Sequence, residues 1–384
     1  VADTTTVAGG VTAGFDATAM AVGTNTFNIS GTASTGLITT ANGKTFGLGT
    51  DYRATVAVAD NTPTLNLAGN SGTTAGTSPT FDTNGGTTAL TINVNGTTGL
   101  NLDGDELVAT NAVTVKGASN LTVYATAAQL NAAKITATSP NYTGSLTLVP
   151  AATGDLDFSD ATSPSTGVRR VNIPSDYAGT ITLNADNTGA FTVGVAATVT
   201  TAFAVAQAGS GQSDAVTVSF GSAATGSGAI TATSIESLTL AGGTTSTGTL
   251  TLGSVSLTDG AGTQTVTITN AGNVAFTTGS ATITADTVTA TGVAGTFGTS
   301  ALPLVLANTA GVSFAGGAGN TFVTGSAAAD SITIVIGNDT IASGGGADVI
   351  NSGAGNDTVT GGSGAEIINL GSGADTVAGA AGID

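Results

Sequence analysis

From Ser326 onward, every acidic residue of this 384-residue chain falls in a single register of nine: Asp330, Asp339, Asp348, Asp357, Glu366, Asp375 and Asp384. Two positions after the first six acids stand Ile332, Ile341, Ile350, Val359, Ile368 and Val377. Two positions before the acids stand Ala328 and then Gly337, Gly346, Gly355, Gly364, Gly373 and Gly382. The unit reads G-G-x-G-x-D-x-U-x, with U β-branched. Carboxylates spaced in this way beside glycine-rich backbone form an all-oxygen donor set with adaptable geometry. Such a set suits Ca²⁺ better than Mg²⁺, which demands a tight octahedron, or Zn²⁺, which prefers nitrogen and sulfur. Several Ca²⁺ ions are the expected cofactor. The candidate ligands are the acids of the register together with the turns at Gly346, Gly355, Gly364 and Gly373.

The elements that would position these acids follow from the same nine residues. Each repeat reads as a turn of five or six residues followed by a three-residue strand whose U side chain points inward, because alternate strand residues face opposite sides. Two repeats would complete one coil of eighteen. Asp330, Asp348, Glu366 and Asp384 would then stack along one edge, and Asp339, Asp357 and Asp375 along the other. Neighbouring coils in a sheet lie about 4.8 Å apart. At that distance two carboxylates repel by about 1 kcal/mol in bulk water and roughly 3 to 4 kcal/mol at an effective dielectric of 20. Metal binding and folding of this segment should be one event, at dissociation constants on the order of 0.1 to 1 mM as for extracellular calcium modules.

Some members of the array depart from the pattern. Thr321 stands where the acid belongs, Gly325 to Thr333 lacks the central glycines, and Ile334 and Val335 replace a leading glycine pair. The first coil is the one expected to go without an ion. Glu366 substitutes a longer acid. Smaller acidic groups, Asp103 with Asp105 and Asp155 with Asp157 and Asp160, are weaker candidates for metal; a solvated turn is the plainer reading of each.

Composition narrows the function classes. The formal charge is -18, and all six basic residues lie at or before Arg170. A nucleic-acid surface needs clustered Lys and Arg, so that class is excluded. With no histidine, His-based triads, zinc-protease motifs and a His general base are excluded too. The chain is expected not to be an enzyme. Absence of cysteine leaves metal to take the stabilising role of a disulfide framework. No stretch is long and apolar enough for a membrane helix, so no membrane insertion is expected. The chain opens on Val1 and stops at the acid of a repeat, and reads as a fragment trimmed at both ends.

Ahead of the array, the fold class reads as all-β. Residues 1–120 alternate short runs such as Ala54-Thr-Val-Ala-Val58 and Leu90-Thr-Ile-Asn-Val94 with Gly/Thr/Asn turns, and form the first expected domain. A helix is expected over Ala127 to Lys134, at a domain boundary. From 121 to 315 runs such as Ser237-Leu-Thr-Leu240 and Gln264-Thr-Val-Thr-Ile268 alternate threonine with Leu, Ile or Val, which buries one face and solvates the other. Irregular β-solenoid coils running into a regular β-roll at 316–384 fit this region. A series of stacked sandwiches is the competing reading.

Residues 316 to 384 resemble the RTX nonapeptide repeats of Gram-negative proteins exported through type I secretion. That resemblance implies a right-handed parallel β-roll that stays unfolded at cytoplasmic calcium and folds outside the cell. The Thr/Ala/Gly-rich, acidic, aromatic-poor body resembles RTX-bearing bacterial surface-layer proteins of the Caulobacter RsaA type. What this resemblance implies is an extracellular protein of the cell surface that tiles it in a calcium-dependent two-dimensional lattice. Its partner would be itself, with lipopolysaccharide reached through a region outside this chain. The calcium-stiffened stalk of a large RTX adhesin is the alternative.

Overall fold

In the computed structural model, the residues described are 4–8, 15–17, 26–30, 38–40, 45–48, 55–58, 64–67, 80–82, 89–96, 98–101, 112–132, 134–137, 141, 143–158, 168–183, 191–195, 199–207, 215–221, 228–242, 249–258, 263–269, 271–276 and 281–379. They are almost entirely short strands, and every pairing between them is parallel. Sandwiches are built of antiparallel hairpins, so parallel stacking decides for a solenoid. The chain divides into two compact units, Val1–Asn172 and Ile173–Asp384.

The first unit contains a seven-stranded parallel sheet, running in chain order from Thr4–Ala8 through Ala89–Val94 and Ala112–Gly117 to Lys134–Thr136. The intervening strands, among them Thr98–Asn101, Leu121–Ala125 and Leu146–Pro150, pair with one another in a second parallel ladder. Leu90, Ile92, Val113, Val115, Leu121 and Val123 are buried, while Thr91, Asn93, Thr114 and Thr122 beside them are not, as alternation requires. The one helix among the described residues is Ala127–Ala132. Thr126 and Gln129 cap it reciprocally: the Thr126 N–H donates to Gln129 Oε1 (2.8 Å), and the Gln129 N–H donates to Thr126 Oγ1 (3.2 Å). It ends two residues before Lys134, because Lys134 enters a strand paired with Ala112.

In the second unit, coil length changes along the chain. Side-chain bonds that join one coil to the next span 22 residues at Gln264 and Asp286, 24 at Thr200 and Asp176, and 28 at Thr282 and Ser254. From Val312 onward the step is 18, as in the bond between Val312 and Asp330. Strand Ser313–Ala315 pairs with Ser331–Thr333, then Val349–Asn351, then Ile367–Asn369. Phe322–Thr324 pairs with Thr340–Ala342, Thr358–Thr360 and Thr376–Ala378. The β-branched U positions point inward: Ile332, Ile341, Ile350 and Val359 are fully buried between the two ladders. Where long coils give way to short ones, Phe276, Phe297 and Phe314 stack in the core, with ring centroids 5.4 and 5.9 Å apart. Burial of three rings compensates for the small side chains elsewhere.

Candidate metal centre

Each turn of the roll brings an acid to its last position, and the strand that follows fixes it against the coil before. Asp330, Asp348 and Glu366 stand on one edge; Asp339, Asp357 and Asp375 stand on the other. The expected arrangement of candidate ligands is therefore present from Asp330 to Asp375; Asp384 lies outside the described residues.

Far from being solvated, most of these acids are buried. Asp330, Asp339, Asp348 and Asp357 are 3, 1, 0 and 1 % exposed, and Glu366 is buried as well. One oxygen of each aspartate serves the backbone of the preceding coil. Asp339 Oδ1 accepts the Thr321 N–H (2.7 Å), Asp348 Oδ1 the Asp330 N–H (2.9 Å), Asp357 Oδ1 the Asp339 N–H (2.9 Å) and Asp375 Oδ1 the Asp357 N–H (3.0 Å). The other oxygen, Oδ2, of Asp339, Asp348 and Asp357 is buried without any hydrogen-bond donor. A buried ionised oxygen with no partner costs several kcal/mol, on the order of 1 to 3 or more, so it calls either for a proton or for a cation. Burial pushes the Asp339 carboxyl up to about 6, the neighbouring Asp357 charge adds to this, and the Thr321 N–H opposes it.

The turns supply further oxygen. Gly355 has φ +143° and Gly346 has φ +100°, values that side chains other than glycine rarely adopt. A Cβ on Gly355 would run into the carbonyl oxygen of Gly337 in the preceding coil. At Gly364 it would strike the Gly346 carbonyl and come within 2.8 Å of Glu366 Oε1, and at Gly373 it would strike the Gly355 carbonyl. The carbonyls of Gly337, Gly346 and Gly355 accept no hydrogen bond among the described residues. Orphaned carboxylate oxygens beside unused carbonyls fit a hard divalent cation, and Ca²⁺ above others. No three acidic side chains converge on one point among the described residues, so such a site is built from single carboxylates and backbone carbonyls.

Asp330 differs from the other aspartates. Its Oδ1 accepts the Val312 N–H (2.7 Å) and the Ser326 hydroxyl (2.9 Å), and its Oδ2 accepts the Ser326 N–H (2.6 Å). Both oxygens already have donors from the protein. Ser326 thus gives Asp330 Oδ2 the donor that Oδ2 of Asp339, Asp348 and Asp357 lacks.

A second ladder escaped the ninefold reading. Asn320, Asn338 and Asn356 each accept, through Oδ1, the backbone N–H of the equivalent residue one coil on, at 2.8 Å. They repeat every eighteen residues, on the Asp339 edge only; the other edge carries Ala329, Ala347 and Ala365. That period was the available signal, hidden because the acids repeat at nine.

Of the weaker candidates, Asp155 and Asp157 are exposed. The Asp155 carbonyl accepts the Asn131 amide (2.7 Å), and the Asp157 N–H donates to Asn131 Oδ1 (2.9 Å), so this turn is tied to the helix by backbone bonds. Asp103, Asp105 and Asp160 lie outside the described residues.

Comparison with known families agrees with this geometry. The RTX calcium-binding nonapeptide repeat, as a family model of four copies, matches residues 335–365 and 358–384. No curated protein and no solved structure matches the chain. The matched residues begin after Asp330, and the coil in which Ser326 satisfies that carboxylate lies ahead of them.

Proposed function

We propose that this chain is a structural surface-layer protein that is secreted unfolded, folds on extracellular calcium and self-assembles into a two-dimensional lattice on a Gram-negative cell. RTX nonapeptide repeats bind calcium, and proteins that carry them are typically secreted and extracellular. The observation that carries the reading is the set of buried, donor-less Oδ2 atoms at Asp339, Asp348 and Asp357. In this reading these oxygens, with Asp375, Glu366 and the turn carbonyls, hold several Ca²⁺ ions, which offset the repulsion within each acidic edge. Ahead of the roll the described residues are mostly stacked parallel strands, as suits a tile. Among the described residues no helix is long and apolar enough to cross a membrane.

One observation favours the stalk of an adhesin instead: the uninterrupted parallel ladder between Leu304 and Ala378, which is a rod once its ions are bound. Negative-stain electron microscopy of the purified chain, at zero and at about 5 mM Ca²⁺, above the affinity range of extracellular modules, separates the two. Ordered sheets that form only with calcium are the expected result. Dispersed rods at both concentrations would overturn the lattice and leave the stalk.

A further inference from the structure

The acids of the roll stand on its edges, and its broad faces are uncharged. In the second unit, one ladder of nine paired strands from Phe191–Val195 to Ile367–Asn369 carries two outward columns. One runs from Thr192 through Thr239 and Thr289 to Asn369; the other runs from Ala215 through Thr265 and Ser331 to Val349 and Ile367. Neither column contains a charged or aromatic residue. Val349 and Ile367 pair directly, 40 and 67 % exposed. On the opposite ladder the corresponding outward column runs from half-buried Phe322 through Thr340 and Thr358 to Thr376. Among the outward strand positions of the roll, the exposed large apolar side chains are thus Val349 and Ile367; the others, Val335 and Ile336 in the turn after Ser331–Thr333 and Val377 at an inward position of Thr376–Ala378, lie off this face.

We infer that the face bearing Val349 and Ile367 is the surface through which two copies of this chain meet, an inference that rests on the assembly proposed above. Chemistry selects the occupant. An anionic lipid surface, polysaccharide or nucleic acid finds no Lys or Arg here, since none occurs beyond Arg170. A stacked sugar finds no aromatic ring. A second copy needs only the same face: two chains of formal charge -18 approach with least repulsion where neither carries charge. Both faces repeat at about 4.8 Å, so their columns interdigitate when one copy is turned over by a twofold axis. Burying Val349 and Ile367 adds the apolar term.

The contact is weak by itself. Nine strands about 4.8 Å apart give a face roughly 38 Å long, and two columns make it about 10 Å wide. A pair would bury about 800 Å² in total, below the roughly 1,200 to 2,000 Å² of a stable complex. Assembly therefore depends on many such contacts acting together.

The test is sedimentation velocity of the full chain over a concentration series at about 5 mM Ca²⁺, comparing wild type with Val349→Glu/Ile367→Glu and Val349→Thr/Ile367→Thr. The calcium-induced gain of β signal in circular dichroism reports folding of each. Wild type should associate, and the Glu variant should fold with calcium yet associate at least about tenfold more weakly, a loss of about 1.4 kcal/mol. Should the Glu variant fail to fold, the Thr variant, which copies the opposite face, must show the weakening. Folded variants that associate like wild type would overturn this face while leaving the lattice intact. Wild type that forms discrete pairs through this face but no sheets would sustain the face and overturn the lattice. Wild type that stays monomeric throughout would overturn both.

Discussion

Asp330 and Asp348 occupy equivalent places in successive coils, yet their carboxylates are in opposite conditions. Ser326 and Val312 give Asp330 three donors, while Asp348 keeps an orphaned Oδ2. Asp348→Asn should lower the number of Ca²⁺ ions bound in equilibrium dialysis, whereas Asp330→Asn should leave it unchanged. Ser326→Ala removes a hydrogen bond to a charged group and should destabilise the metal-free chain by about 1.5 to 3 kcal/mol in urea titrations with chelator present, again without changing the ion count. Protons act on the same atoms. Because the Asp339 value in the fold, about 6, lies above its ordinary value, protonation favours the metal-free fold. That stabilisation is fully present below about pH 4 and is lost as pH rises through about 6. The midpoint of thermal unfolding in chelator should therefore rise when pH is lowered from 7 to 4. With calcium, which needs the ionised carboxylate, the trend should reverse below about pH 6.

At the scale of the coil, glycine sets how closely turns can stack. Gly355→Ala places a methyl group against the Gly337 carbonyl at a φ of +143°, and should destabilise the roll by more than about 1 kcal/mol, raising the calcium midpoint of folding several-fold in circular dichroism. Much of this element was readable beforehand. Acid, glycine and β-branched residue recur at nine, and the nine implies both the paired edges and the inward U residues. The strands that alternate threonine with Leu, Val or Ile, such as Ser237–Ala241 and Thr265–Thr269, were readable as well. Phe203–Gln207 and Asn273–Phe276 were not, because alanine or asparagine takes the outward positions and blunts the alternation. The donor of each buried oxygen could not be read at all. For the Oδ1 atoms it comes from the backbone of a coil eighteen residues earlier, and only the structure reveals that Ser326, four residues before Asp330, completes that carboxylate.

For the molecule as a whole, the two halves of the array imply a direction of folding. Val312 to Thr333 packs on the aromatic cluster of Phe297 and Phe314 and satisfies its acid internally, so it needs no ion. The coils from Val335 to Gly379 bury acids that the protein leaves incomplete, so they need one for each orphaned oxygen to be relieved. Calcium should then extend an existing stack by adding coils to its open end, where each new backbone N–H and carboxylate finds a partner already in place. Hydrogen exchange of the full chain, read by mass spectrometry with chelator and with saturating calcium, tests this most directly. Segments within 281–333 should be protected in both conditions, and segments within 335–379 should be protected only with calcium. Equal protection of 335–379 in chelator, or loss of 281–333 together with it, would contradict a calcium-completed roll growing on an ion-independent solenoid.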